Sequence, residues 1–217
     1  MNKTALLLGA TGLTGEQCLQ ALLASDRYQR VTVVVRRALN LTHPRLHTVL
    51  TDFKNITALG AALQADDVFC CMGTTIAKAG SREAFRRVDL EIPKQIAEQA
   101  LAQGAQQFIL CSSMGADAGS AIFYSRVKGE LEQALSQMGF KAVHIFRPSI
   151  LLGDRKEQRT GEAIGRFAAE KFSFLFAGPF KKYAGTPVTV LAKKMIEAAA
   201  QNASGIHLHE NDEILAA

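Results

Sequence analysis

The 217-residue sequence has no tryptophan, only four cysteines and five prolines, and no apolar run near the 18 or more residues that a membrane-spanning helix requires. No membrane-spanning helix is therefore expected. The cysteines (Cys18, Cys70, Cys71 and Cys111) are too few and too irregularly spaced for a disulfide framework or a paired zinc motif. They read as reduced, buried thiols, and no metal site is expected. His207 and His209 share a strand face, but no third ligand stands near them in the sequence. Basic residues exceed acidic ones by 25 to 20, and no aromatic-rich basic stripe of the kind that stacks bases appears. The excess reads as solvated surface, and nucleic acid is not an expected partner. There is no low-complexity segment and no repeat of solenoid length. Met1-Asn2-Lys3-Thr4 enters the first apolar run without a signal core, which predicts a cytoplasmic protein.

What the sequence does have is alternation. Apolar runs at 5–8, 31–35, 46–50, 67–71, 107–111 and 142–146 read as strands, with helix-like stretches between them. A long helical region runs from about Ser81 to Gln103, with Pro93 placed near a helix start because proline lacks the N–H of a helix interior. Phe123 to Gln137 is a second helix, carrying Val127, Leu131 and Leu135 on one stripe. The runs are apolar throughout rather than alternating, as burial on both faces requires. The pattern predicts an α/β fold with a doubly wound parallel sheet of the Rossmann-like type. In such a sheet a ligand lies beyond the carboxyl ends of the strands, at the switch point. The polar and glycine-containing segments 9–15, 36–37, 52–53, 72–75, 112–114 and 147–150 all fall at those ends.

The first of them is the most informative. Gly9-Ala10-Thr11-Gly12-Leu13-Thr14-Gly15 stands between the first strand and the first helix. Gly9 permits a tight bend. Gly12 leaves no Cβ in the way of a pyrophosphate, and Gly15 lets the helix pack close to the strand. The helix N-terminus then offers free N–H groups to an anion. After the second strand, where an acidic residue would bind an adenosine ribose hydroxyl, stand Arg36 and Arg37. A guanidinium suits a 2′-phosphate, so NADP(H) is favoured over NAD(H). Asp52 would accept from the adenine amino group or else cap the segment that follows it.

The second chemical signal is Tyr124-Ser125-Arg126-Val127-Lys128. Tyrosine and lysine four apart share a helix face. An ammonium beside a phenol stabilises the phenolate, so the tyrosine can exchange a proton with a substrate oxygen while hydride moves. The preceding strand ends in Ser112-Ser113, where a hydroxyl could bond the same oxygen.

Taken together, Gly9-x-x-Gly12-x-x-Gly15, Asp52-Phe53, Gly73, Ser112-Ser113, Tyr124-x-x-x-Lys128 and Arg147-Pro148-Ser149 resemble the short-chain dehydrogenase/reductase superfamily. The glycine spacing is that of its extended and atypical branches. The segments 9–12, 71–75, 124–128 and 146–149 are similar to the atypical group of the human Tat-interacting oxidoreductase and its bacterial relatives. The resemblance implies Tyr124 as general acid/base, Lys128 on the nicotinamide ribose, and Ser113, rather than Ser112, on the substrate carbonyl. It implies cofactor contacts from Gly9, Thr11, Gly12, Leu13, Thr14, Gly15, Arg36, Arg37, Asp52, Phe53, Cys71, Met72, Gly73, Thr74, Ser112 and Arg147. Pro148, Ser149 and Ile150 would contact the nicotinamide end through backbone groups. Two features depart from the superfamily. The chain is shorter than most sugar-nucleotide-modifying members, and Cys71-Met72-Gly73-Thr74 stands where classical members have Asn-Asn-Ala-Gly.

The last third is less regular. A helix is expected over 161–172 and another over 188–201, with an edge strand at 205–208. Phe172, Phe174, Phe176 and Phe180 read as core, pocket wall or interface. No linker separates this part, so residues 1–217 are expected to form one domain. In it, about 151–217 make a small substrate-covering lobe. The expected function is NADP(H)-dependent reduction of a small carbonyl substrate by a monomer or homodimer. The alternative is a non-catalytic NADP(H)-binding redox sensor, which would need the glycine loop and the arginines but not the Ser-Tyr-Lys set.

Overall fold

A computed structural model of the chain describes residues 3–153 and 183–216. The helix expected over 161–172, the phenylalanines from 172 to 180 and Lys181-Lys182 lie outside the described residues.

Seven strands form one parallel sheet. They are β1 (Lys3–Leu8), β2 (Tyr28–Val35), β3 (Leu46–Leu50), β4 (Asp67–Cys70), β5 (Gln107–Cys111), β6 (Ala142–Arg147) and β9 (Gly205–Glu210). Their order is β3-β2-β1-β4-β5-β6-β9, and every neighbouring pair is parallel. Two short strands, β7 (Leu151–Leu152) and β8 (Thr186–Pro187), pair beside the carboxyl edge. The central strands are apolar on both faces because both faces are covered: Leu6, Leu7, Val68, Phe69, Phe108 and Ile109 have no exposed surface. On one face lie α4 (Ile92–Ala102) and α5 (Phe123–Ser136), packed on Leu8, Cys70, Leu110 and Ile145. On the other lie α1 (Leu13–Ala24) and α6 (Val188–Ala200), packed on each other and on Leu7, Phe69 and Ile109. The strand order reverses between β1 and β4, which puts the switch-point crevice at their carboxyl ends. In the described part of the tail, β9 extends the sheet and α6 packs on one face of it.

The long helical region expected over 81–103 is three pieces. A short α2 (Ile76–Ala79) leads to α3 (Arg82–Arg86), which runs into a π-helical turn, Arg87–Glu91, before α4. In that turn the Ile92 N–H reaches Arg87 O, five residues back. Pro93 sits in the first turn of α4, as expected of a residue that cannot donate.

His207 and His209 do share a face of β9, and they stack on His144 of β6. Ring centroids lie 4.7 and 5.5 Å apart, and His144 Nδ1 is 3.2 Å from His209 Nε2. His144 is fully buried. Burial, then the neighbouring His207 and His209, pulls its pKa down to about 4. An unfolded histidine titrates near ~6.5. A group held neutral in this way stabilises the fold fully above that value, and the contribution is lost as pH falls toward 4. We expect the melting temperature to drop between pH 6.5 and 4, and His144→Gln to flatten that part of the profile in thermal melts.

Candidate functional site

The glycine loop has the geometry that its spacing calls for. Gly9 has φ +80°, and a Cβ there would lie 2.5 Å from the Cys71 carbonyl oxygen. A side chain at this position would therefore force apart the ends of β1 and β4. A Cβ on Gly15 would fall 1.9 Å from Gly9 O, whereas one on Gly12 would meet only Gly9 O, at 3.3 Å. Gly15 is thus fixed by packing of α1 on the loop, whereas the protein itself leaves room at Gly12 for little more than a methyl contact with Gly9 O. Gly12 is also the N-cap of α1, and no side chain caps this end. The helix presents its first N–H groups and positive dipole end to the crevice, and a pyrophosphate fits there.

Arg36 and Arg37 leave the end of β2 exposed. Neither has a hydrogen bond or ion pair among the described residues. Beside them, Thr51 N donates to Val35 O, which brings the turn after β3 to the same corner. Asp52 is exposed, and its Oδ1 accepts from Lys54 N at 2.9 Å. That N–H holds the carboxyl below the usual carboxylate range. Phe53 is buried with φ +60°, a left-handed conformation uncommon for a bulky residue and worth about 1–2 kcal/mol of strain.

At the other end of the crevice, Tyr124, Lys128 and Glu132 occupy successive turns of one α5 stripe. The half-buried Tyr124 ring packs on Phe85, with centroids 5.6 Å apart. Lys128 is buried, and its ammonium lies 2.7 Å from Asp89 Oδ1, in a side chain with no exposed surface. Burial alone pulls the lysine pKa down. The Asp89 carboxylate and the nearby Tyr124 outweigh it, so the net shift is upward and the side chain stays charged. Asp89 Oδ2 also accepts from Thr74 N at 2.9 Å, tying the 71–75 segment to the pair. Gly73 closes over it, since a Cβ there would lie 3.2 Å from Asp89 Oδ1 and 3.4 Å from Lys128 Nζ.

Asp89 is a residue that sequence reasoning missed. It stands between Val88 and Leu90 in an apolar helical pattern, and only the π turn aims it at Lys128. Removing one partner of a buried pair leaves an uncompensated charge, a loss of about 3–5 kcal/mol. We expect Asp89→Asn to lower the melting temperature and turnover together, with Lys128→Met relieving the stability loss in the double variant.

Glu132, also missed, does have a signal: it lies four residues beyond Lys128 on the same stripe. It accepts from the Ser112 hydroxyl and from Arg147 (Nη2–Oε2 2.6 Å), and Arg147 also reaches Glu210 at 3.1 Å. Ser112 and Arg147, expected at the cofactor, are thus engaged in a network that joins β5, α5, β6 and β9. Ser113 is half-buried, and among the described residues its hydroxyl makes only a long contact of 3.4 Å to Met114 O, so it is the less engaged of the two.

The segment Pro148–Ile150 is held from the far end of the chain. Ser149 N donates to Asn211 Oδ1 (3.2 Å) and Thr186 Oγ1 (3.1 Å), and Asn211 Nδ2 donates to Ala184 O at 2.8 Å. Thr186 Oγ1 donates in turn to Asn211, and Ser149 Oγ to Ala184 O. Asn211 and Thr186 are fully buried. Ile150 itself is 60% exposed at the rim.

The four cysteines are free, and Cys70 and Cys71 fall on opposite faces of the sheet. Burial pushes the Cys70 and Cys111 thiols up to about 12. The Cys18 thiol and then burial raise Cys71. Among the described residues no group of three or more His, Cys, Asp or Glu side chains is placed to hold a metal. No helix among them is long and apolar enough to cross a membrane.

This sheet, with a glycine loop at its switch point, defines a dinucleotide-binding α/β protein of the Rossmann class. A family model described as NAD(P)H-binding matches residues 9–168. The chain belongs to that family, and within it to the atypical short-chain dehydrogenase/reductases. It is 36% identical to the protein HTATIP2 of Rattus norvegicus, over 99% of this chain and 88% of that one. It is 32% identical to the protein FMP52-1, mitochondrial, of Scheffersomyces stipitis, over 97% and 92% of the two chains. An oxidoreductase of the short-chain dehydrogenase/reductase family from Burkholderia thailandensis has the same fold. Its TM-score is 0.71 at 18% identity, over 100% of this chain and 94% of that one.

Proposed function

We propose that the chain is an NADP(H)-dependent oxidoreductase that reduces a small carbonyl compound, acting as a monomer or homodimer. The observation that carries this reading is the α5 stripe. Tyr124 and Lys128 stand on it at the carboxyl edge that also bears the glycine loop, and Asp89 fixes the lysine charge at 2.7 Å. Gly9 to Gly15 and the α1 N-terminus bind the pyrophosphate, and Arg36 and Arg37 bind the 2′-phosphate. Backbone groups of Pro148 to Ile150 orient the nicotinamide end. When bound, the cofactor supplies a hydride to the carbonyl carbon. Ser113 donates a hydrogen bond to the carbonyl oxygen, and Tyr124 gives that oxygen its proton. The Lys128 ammonium stabilises the phenolate left behind, which regains its proton from solvent.

Binding titrations of NADPH against NADH test the cofactor assignment. We expect tighter binding of NADPH, and Arg36→Ala with Arg37→Ala to weaken it about tenfold or more while barely changing NADH. A preference of the unmutated protein for NADH would overturn it. The cytosolic location is part of the same proposal. The fungal relatives are named mitochondrial, and cell fractionation decides between the two.

A further inference from the structure

The π turn sends side chains to both ends of the crevice. Asp89 goes to Lys128, and two residues earlier Arg87 goes the other way. Its Nη2 donates to the Phe53 carbonyl at 2.8 Å. We propose that Arg87 is a positioning residue for the adenine half of the cofactor; this rests on the function proposed above. Phe53 is the buried, left-handed residue of the turn beside Arg36 and Arg37. A non-glycine residue keeps such a conformation only where its surroundings over-determine it. Two of the ties come from the turn itself: Phe53 N donates to Thr51 Oγ1 at 3.0 Å and Lys54 N to Asp52. From outside the turn, the Phe53 ring packs into the core, and the Arg87 guanidinium is a charge-assisted donor to the Phe53 carbonyl. Nothing strong competes for it. Glu91 stands 4.0 Å away, and both side chains are 45% exposed. Without Arg87 the turn relaxes, and Asp52 and the Phe53 backbone leave the places from which they meet the adenine.

The test uses the two halves of the cofactor separately, by calorimetry on the full chain. Adenosine 2′,5′-bisphosphate probes the adenine side and reduced nicotinamide mononucleotide the other. We expect Arg87→Ala to weaken the bisphosphate about five- to tenfold and to change the mononucleotide less than about twofold. Arg87→Lys, which keeps one charged donor, should recover part of the loss. Equal weakening of both halves, or of neither, overturns the proposal. Should Arg87→Ala fail to fold, Arg87→Gln against Arg87→Lys carries the same comparison. If the unmutated protein binds neither NADPH nor the bisphosphate, the function proposed above fails. If it binds them and the Arg87 variants match it, this inference alone fails.

Discussion

Tyr124→Phe is expected to lower turnover by about 10²- to 10⁴-fold, the range that a positioned proton donor contributes. The change removes one oxygen and leaves the ring. That ring already has its place against Phe85, 5.6 Å between centroids, so the helix start keeps its packing. Lys128 keeps its partner Asp89. Affinity for NADPH should therefore change little, because the lost hydroxyl acts in the transition state rather than in holding the cofactor. Initial rates with a panel of small aldehydes and ketones, set beside a fluorescence titration of NADPH, separate the two effects. Undiminished turnover would remove Tyr124 from the chemistry. The absence of turnover in the unmutated protein, with NADPH still bound, would return the sensor reading.

Gly15→Ala has the other large effect, and it works by a different route. The new methyl would lie 1.9 Å from Gly9 O and 2.6 Å from Gly9 C. Both are backbone atoms of a residue itself pinned at φ +80° against Cys71, so neither can give way cheaply. The expected result is a loss of roughly 1–3 kcal/mol or more in stability, as for overpacking elsewhere, together with loss of NADPH binding. Gly12→Ala makes the useful contrast. Its methyl would meet only Gly9 O, at 3.3 Å. The melting temperature should stay close to that of the parent while cofactor affinity falls, because the space it fills is the space a pyrophosphate needs. Parallel melts and titrations of the two variants distinguish a loop that is merely close-packed from one shaped for a ligand. Equal tolerance of both by the bound cofactor would contradict the latter.

The parts that the sequence predicts well are those whose cause is local. Leu6 to Leu8 and Phe108 to Leu110 are apolar throughout because they are covered twice, and a reader of the sequence needs no partner to see it. The spacing of Gly9, Gly12 and Gly15, and of Tyr124 and Lys128, is a property of one turn and one helix. What escaped depends on contacts between distant segments. Val88-Asp89-Leu90 looks like an ordinary helical stretch, and a single extra residue per turn in a π segment leaves no compositional trace. Ser112 and Arg147 carry the right chemistry at the right edge, yet Glu132 takes both of them. The resemblance preferred Ser113 to Ser112, but the carboxylate twenty residues away that holds the Ser112 hydroxyl could not be read. The three histidines were partly legible. Their shared face on β9 was visible, but His144 joins them only through the pairing of β6 with β9.

The clamp on Ser149 bears on how the protein is made. Nearly every side chain named at the site has been synthesised by Ile150, and six strands of the sheet with it. The segment 148–150 still lacks Thr186 and Asn211, which are made well after it. A nascent chain halted before β9 could assemble the glycine loop and the Tyr124 helix, but not the fixed loop opposite them. Truncation before Asn211 should therefore spare the glycine loop and the Tyr124 helix while leaving the 148–150 segment without its clamp.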